Sequence, residues 1–270
     1  MERLKVLASN NQKMVLGDGT SLKYLLNAEN KELSSSYLIK ENTNIDLLIL
    51  NISDAVDVHF ELERNSHLHL SVLANKPLKT LKISANVAQN AAIECYYADF
   101  VQGECKGEIN INLNESNAVC DWHLASLTED KDKKSFDVSV FHNSKSTFAQ
   151  MDNYGVIRDD GKLTFSGICH IKNGSSGSKA HQNAKIMVFD ELSNGIAKPI
   201  LKIDENDIEA SHAAVVGKIN DEHTFYLTSR GLSIDAAKRI ITLGYLKPIL
   251  KGFDDEDIKK EIENLIEGKM

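Results

Sequence analysis

The sequence predicts a mainly β protein whose last fifth is helical. Between residues 41 and 217, short runs of alternating apolar and polar residues follow one another, which is the period-two pattern of half-buried strands. Polar corner motifs recur between these runs at intervals of roughly 20 to 30 residues, a spacing typical of repeat architectures. From residue 218 onward, apolar residues instead recur every three or four positions, as on one face of an α-helix.

The strand-like runs occupy residues 45–52, 56–62, 67–73, 81–87, 92–97, 108–113, 118–124, 136–141 and 147–151, with a further run at 208–216. The corners between and after them carry Asn65-Ser66, Gln89-Asn90, Glu115-Ser116-Asn117, Asn143-Ser144, Asn173-Gly174 and Asn194-Gly195. Residues 1–40 show no consistent pattern, so we leave their structure unassigned.

Two or three strands per repeat, with no helices between them, are typical of a β-helix. Each coil stacks on the next there, and interior strands are paired on both edges. The predicted inward column includes Leu68, Ile93, Val119 and Val140. An antiparallel sandwich would also give many short strands, and the residues alone leave these two architectures open.

The helical region begins near Asn220 or Asp221, since either side chain can accept bonds from free N–H groups at a helix start. This first helix is predicted to stop at Gly231, a residue suited to the left-handed conformation. Ser233 is predicted to cap a second helix, and Pro248 to disturb its last turn.

A last helix is predicted to start at a cap on Asp254. Its apolar face carries Ile258, Ile262, Leu265 and Ile266, and its other positions are mainly Lys and Glu. This pattern favours a surface helix docked on the preceding helix. The helices together could also cover the open end of a stack of coils.

The composition limits the function. With 42% apolar and 26% charged residues in a chain of 270, the sequence is typical of a globular protein. The net charge of −8 disfavours nucleic-acid binding, which requires a basic face. No apolar stretch approaches membrane-spanning length, and the N-terminus lacks the apolar core of a signal peptide. We therefore expect a cytoplasmic protein.

Cysteines and histidines are the candidate metal ligands. Cys95, Cys105, Cys120 and Cys169 match no zinc or iron–sulfur spacing, so they are expected to be reduced thiols in the core. His67 and His69 share a strand face as H-x-H, which could bind a metal, but nothing nearby in the sequence completes a ligand set.

A known family resembles the C-terminal region. The run ASHAAVVG at 210–217, then FYLTSRG at 225–231, then AAKR at 236–239 is similar to the signature of the SufB/SufD iron–sulfur cluster assembly scaffold proteins. The resemblance extends more weakly upstream to about Asp152. It implies a right-handed parallel β-helix at 41–217 and a C-terminal helical subdomain at 218–270.

The resemblance places His212 at the contact with a SufB partner, beside the nascent cluster. Neutral imidazole is a competent iron ligand, but one histidine cannot hold a cluster, so other ligands would come from another chain. Alternatively, His212 forms a hydrogen bond across the interface without touching metal.

Asn183 stands near the position where SufB-like sequences carry a cysteine. An amide cannot act as the sulfur-accepting nucleophile, for which a thiolate is needed. The departure therefore places this chain on the SufD side, in an assisting role.

The family also implies that the terminal helices bind SufC, an ABC-type ATPase. The predicted partner-binding residues are Phe225, Tyr226, Arg230, Arg239, Ile240, Ile241 and Tyr245. ATP hydrolysis would belong to that partner, and this chain would have no catalytic residues. No cofactor is expected on the chain alone, although an iron–sulfur cluster could form transiently at an interface.

The identity of the second scaffold subunit stays open. The resemblance implies that typical SufD proteins carry an additional N-terminal helical region, and we expect this chain to be a compact version with little of it. It could pair with a SufB-like subunit or with a second copy that serves both roles. A β-helical carbohydrate-active enzyme is the alternative from another class, but its carboxylates should cluster on one strand face. A purely structural interaction module is a third reading.

Overall fold

The computed structural model describes residues 5–6, 13–17, 21–27, 32–50, 52–219 and 221–269. Within these residues, 17 strands form two parallel sheets, and three α-helices and a 3₁₀ helix follow. The strands are β1 (Lys5–Val6), β2 (Lys13–Leu16), β3 (Ser21–Asn27), β4 (Glu32–Ile39), β5 (Asn44–Leu50), β6 (Asp54–Leu62), β7 (His67–Ala74), β8 (Leu78–Val87), β9 (Ala92–Asp99), β10 (Glu104–Leu113), β11 (Val119–Thr128), β12 (Lys133–His142), β13 (Phe148–Ile157), β14 (Lys162–Ile171), β15 (Ser178–Val188), β16 (Asn194–Ile203) and β17 (Ile208–Lys218). The helices are α1 (Asp221–Ser229), α2 (Ile234–Leu246), the 3₁₀ helix Lys247–Gly252 and α3 (Glu256–Glu267).

The two sheets are the two sides of a β-solenoid. Odd-numbered strands form a nine-stranded sheet and even-numbered strands an eight-stranded sheet, each strand pairing in parallel with the strand two places along the chain. The prediction of stacked coils is therefore confirmed, and the antiparallel sandwich is wrong. The step between paired residues grows from 23 (Asn44 with His67) to 31 (Phe148 with Lys179), so later coils are longer.

The predicted strand runs correspond to β5–β13 and β17, while β14, β15 and β16 were not among them. The corner predicted at Asn194-Gly195 is wrong. Asn194 begins β16 there, pairs with Lys162, and its backbone N–H donates to Gly161 O at 2.9 Å. The unassigned segment 1–40 contributes strands β1–β4 to the same sheets, and its other residues, apart from Gly17 and Lys40, lie outside the described ranges.

Apolar side chains from both sheets fill the solenoid. Leu68, Ile93 and Val140 are buried as predicted. The prediction that Val119 points inward is wrong, because its neighbour Cys120 occupies the inward position. Two adjacent apolar residues satisfy the alternation equally well, and the buried Trp122 shows which of the two faces the core. The Trp122 indole N–H donates to Asn153 Oδ1 at 3.0 Å, so this large side chain is packed and satisfied.

The helices cover the outer face of the nine-stranded sheet and leave the end of the solenoid open. Outward residues near the C-terminal ends of odd strands are apolar, and they form a second core with the helices. Its members include Leu73, Phe100, Leu127, Val156, Leu246, Ile249, Phe253, Ile262 and Ile266. The last helix therefore packs on the sheet as well as on α2.

The helix ends largely follow the prediction. Ser233 caps α2 by accepting a bond from Ala236 N at 3.1 Å, and Gly231 has a φ of +92° after α1. The 3₁₀ helix begins next to Pro248. The cap predicted at Asp254 is wrong, because Asp255 caps α3 while Asp254 pairs with Lys23 at 2.9 Å.

Asp221 begins α1, whereas the other predicted start, Asn220, lies outside the described residues. In the part of the chain that is described, no helix is long and apolar enough to cross a membrane.

Candidate functional site

The last coil leaves the end of the solenoid open. β17 pairs only with β15, and β16 only with β14, so among the described residues each has one edge without a neighbouring strand. An edge of this kind presents free backbone N–H and C=O groups that can pair with another chain. We call this surface, formed by β16 and β17, the open end.

At the open end, the side chains of β17 that continue the inward-facing rows of the solenoid are exposed to solvent. Gln182, Ala184 and Ile186 of β15 are buried, but their register partners on β17 are exposed because no further coil covers them. Among these, Val216 is 44% exposed, and its neighbour Val215 is 55% exposed. Solenoids require a polar cap at such an end to stay soluble, so this apolar end is suited to being covered by another subunit.

His212 lies at the centre of the open end. It stands opposite Gln182 in the inward column, is exposed, and has small neighbours at Ala213 and Ala214. Within the described residues it has no hydrogen-bond, ion-pair or ring partner. No group of three or more His, Cys, Asp or Glu side chains there could hold a metal ion. His212 therefore offers one free imidazole, and any further ligand would have to come from elsewhere.

Ser211 and Asn183 point to the outer face of the sheet instead. The Ser211 hydroxyl lies 2.8 Å from His181 Nδ1, and Asn183 donates to Asp152 Oδ1 at 2.8 Å. The amide of Asn183 is thus engaged in a structural hydrogen bond.

All four cysteines are free and buried, as predicted. Burial raises the pKa of Cys169 to about 11 and that of Cys105 to about 12. Burial likewise raises the pKa of Cys95 and Cys120 well above the usual range of a thiol. Since the thiolate is the nucleophile and the metal ligand, these protonated core thiols are poorly suited to sulfur transfer.

A second exposed surface lies on α1 and the outer side of α2. Phe225 is 73% exposed and Tyr226 57% exposed, with the Arg230 guanidinium 5.3 Å from the centre of the Tyr226 ring. Arg239 and Ile240 are also exposed, while Ile241 is half-buried. Aromatic residues with a nearby arginine are typical of binding hot spots.

Tyr245 differs from the other predicted partner-binding residues. Its ring packs edge-on against Tyr154 of β13, with the ring centres 5.7 Å apart. Burial, with a smaller contribution from Tyr154, raises the pKa of Tyr245 to about 12. This side chain therefore attaches α2 to the solenoid.

Sequence reasoning missed the exposed apolar residues Ile234, Val215, Val216, Ile196 and Ile200. A signal was present for β16, because Pro199 lies inside it and proline, which has no N–H for the ladder, is largely confined to edge strands. The alternation in β16 and β17 otherwise resembles that of interior strands.

The fold, the open end and the exposed helix pair define a β-solenoid protein with an uncovered sheet edge and an exposed aromatic surface on α1. The family model described as "SUF system FeS cluster assembly, SufBD core domain" matches residues 14–245. The chain therefore belongs to the SufBD core family of the SUF iron–sulfur cluster assembly system.

Several relatives carry names from the same system. The chain is 30% identical to the iron–sulfur cluster assembly protein SufD of Bacillus subtilis over 168 residues, which is 62% of this chain and 38% of the relative. It is 28% identical to SufB of Bacillus subtilis over 131 residues, 48% of this chain and 28% of the relative. A SufBD family protein of Mycobacterium leprae is 29% identical over 131 residues, 48% of this chain and 15% of the relative. The matches thus span well under half the length of these relatives.

Proposed function

We propose that this chain is a SufD-like scaffold subunit of a cytoplasmic SUF complex. It would bind a SufB-like subunit, or a second copy of itself, through the open end, and a SufC-type ABC ATPase through α1 and α2. The observation that carries the proposal is the last coil, which exposes inward-column residues, including Val216 and an unpaired imidazole at His212, on a free sheet edge.

The proposed role is binding and positioning rather than turnover. His212 would supply one iron ligand at the interface, and the remaining ligands would come from the partner scaffold subunit. ATP hydrolysis would take place in the ATPase, whose movement would strain or open the scaffold interface and admit iron and sulfur. The buried thiols support an assisting role, because none is placed to carry persulfide.

Co-purification of the chain with an ABC ATPase and a second scaffold subunit tests the two surfaces separately. We expect Phe225→Asp to remove the ATPase and retain the scaffold partner, and Val216→Lys to do the reverse. Matched controls are Lys260→Asp on α3 and Val15→Lys, since Val15 is 52% exposed on β2. Activity on a polysaccharide without any ATPase partner would instead favour the carbohydrate-active alternative.

The role of His212 requires a separate measurement. Clusters are reconstituted on the assembled complex with the natural chain and with His212→Ala, and bound iron and sulfide are quantified. We expect reduced iron loading for His212→Ala and normal loading for the control His170→Ala, whose side chain pairs with Asp204 at 2.6 Å on the outer face. Unchanged loading would leave His212 a packing residue.

A further inference from the structure

The H-x-H pair on β7 lies far from the open end. His67 and His69 both point away from the core on the outer face of the nine-stranded sheet. Their strand pairs with β9, where Glu94 is the register partner of His69. Chain topology thus brings a carboxylate, 25 residues later in the sequence, next to both imidazoles.

Glu94 contacts both histidines with different oxygens. Its Oε1 lies 3.3 Å from His67 Nε2, and its Oε2 lies 3.4 Å from His69 Nδ1. Glu94 is the only polar partner of His67 within the described residues. The third potential ligand, absent from the local sequence, is therefore supplied by the neighbouring strand.

A hydrogen bond to a backbone carbonyl fixes the tautomer of the His69 ring. His69 Nε2 lies 2.9 Å from the backbone oxygen of Gly252, and this oxygen can only accept. Nε2 therefore carries the proton, and in the neutral ring Nδ1 directs a lone pair towards Glu94. A histidine that binds metal through one nitrogen commonly donates the other N–H to a carbonyl in this way.

The His69 ring is also held in place by packing. Its ring centre lies 5.3 Å from that of Tyr96, which contacts Gly252 in turn. A lone pair and a carboxylate facing each other repel unless a cation lies between them. A proton on Nδ1 could relieve that one contact, whereas a metal ion would also engage His67.

We propose that His67, His69 and Glu94 bind a divalent transition-metal ion of the Zn²⁺ and Fe²⁺ class. Two imidazoles and one carboxylate suit these ions and leave positions open for water or an exogenous ligand. As the side chains stand, no three potential ligands in the described part of the chain are close enough to share an ion. Closing the site requires the part-exposed His67 ring to turn towards Glu94 and His69.

Metal binding would reinforce the attachment of the helices to the sheet. An ion on His69 Nδ1 fixes the proton on Nε2 and so strengthens the bond to Gly252 O. The hydroxyl of Ser71 also bonds to this oxygen. The site would thus join the 3₁₀ helix to β7 without involving the open end or the ATPase surface.

The full chain, treated with a chelator, is titrated with Co²⁺ by visible absorption and with Zn²⁺ by calorimetry. We expect one equivalent to bind. His67→Gln and Glu94→Gln each remove a ligand, so each should weaken binding by at least the roughly tenfold that loss of an outer-shell partner costs. The matched control His59→Gln, in which another surface histidine 2.7 Å from Glu61 is removed, should leave the affinity unchanged. Equal affinities in all four proteins, or an equal loss in the control, would overturn the proposal.

Hydrogen exchange provides a readout of the attachment. Zn²⁺ should slow amide exchange at 250–256 in the natural chain and in His59→Gln, but not in Glu94→Gln. If Zn²⁺ leaves this exchange unchanged in the natural chain, the assigned ligands are wrong. Because both measurements use the isolated chain, their outcome is independent of whether the proposed ATPase and scaffold partners bind.

Discussion

At the scale of single residues, close packing under the helices depends on Gly252. This glycine ends the 3₁₀ helix, is buried, and lies directly on the ring of Tyr96. A Cβ at this position would overlap the ring carbons of Tyr96. The contact also positions the Gly252 oxygen for the bonds from His69 and Ser71.

We expect Gly252→Ala to destabilise the protein by about 1–3 kcal/mol, the usual cost of overpacking. Gly244→Ala is the matched control, because nothing lies within 4 Å of a Cβ there and alanine favours a helix interior by about 0.5–1 kcal/mol. Urea unfolding of both variants checks this. Equal stability of the two would show that the 3₁₀ helix can move away from Tyr96 without cost.

His142 makes stability depend on pH. The residue is fully buried in β12, its Nδ1 lies 2.7 Å from Thr147 Oγ1, and burial lowers its pKa to about 4. The unfolded chain binds a proton at its ordinary pKa near 6.5, so protonation favours unfolding. The contribution is fully present above pH 6.5 and is lost as the pH falls from about 6.5 to about 4.

This shift corresponds to about 3 kcal/mol over that window. We expect His142→Gln to show a smaller loss of unfolding free energy between pH 7.5 and pH 5 than the natural chain. The measurement is a series of denaturant titrations at fixed pH values. An identical pH dependence in the two proteins would contradict the assignment of this loss to His142.

At the scale of structural elements, one row of corners is formed by stacked asparagines. Asn42, Asn65, Asn90 and Asn117 all have φ between 55° and 61°, a left-handed conformation that asparagine tolerates better than most residues. The side-chain amides of Asn65, Asn90 and Asn117 each donate to the side-chain oxygen of the preceding asparagine at 3.0 Å. The ladder therefore fixes the turn and the stacking of coils together.

We expect Asn90→Ala to cost about 1–2 kcal/mol, because alanine is strained at this φ and both ladder bonds are lost. Asn110→Ala is the control: Asn110 lies within a strand and makes one surface bond, to Glu108. Asn110→Ala should lower the free energy of unfolding by less than about 0.5 kcal/mol. Thermal unfolding compares the two, and equal shifts would mean that the ladder adds nothing beyond an ordinary surface contact.

At the scale of the whole molecule, stability is distributed unevenly along the solenoid. Interior coils are paired on both edges and filled with apolar side chains, and the helices add a second core on one side. At the open end, β16 and β17 are paired on one edge only, and they contribute only partly buried residues to the core (Ala197, Leu201, Ile208 and Ala210). Among the residues whose burial is described, α1 contributes none to either core. Opening of the last coil should therefore need less free energy than opening of the middle.

Hydrogen exchange of the isolated chain should show this gradient. We expect amides of β17 and α1 to exchange faster than those of β9 to β13. Addition of the scaffold partner should slow β17, and addition of the ATPase should slow α1. Uniform protection along the isolated chain would contradict the description of the open end as an uncovered edge.

Much of the local structure could be predicted from sequence, because alternation, caps and turn residues act over a few positions. The strand runs from β5 to β13, the Ser233 cap and the left-handed Gly231 follow from such short-range chemistry. Where two neighbours were both apolar, as at Val119 and Cys120, alternation could not choose the inward side chain. The cap of α3 is Asp255 and not the predicted Asp254, because Asp254 is engaged in a tertiary contact with Lys23.

By itself, the sequence determined that the chain forms repeated strands followed by helices, and its ordered motifs at 210–217, 225–231 and 236–239 indicated the family. Only the tertiary structure decided that the helices cover the side of the solenoid and not its end, and that Glu94 contacts His67 and His69. These features depend on coil lengths that grow from 23 to 31 residues and on packing between distant segments. Periodicity specifies which face of a strand is buried, but not which other part of the chain buries it.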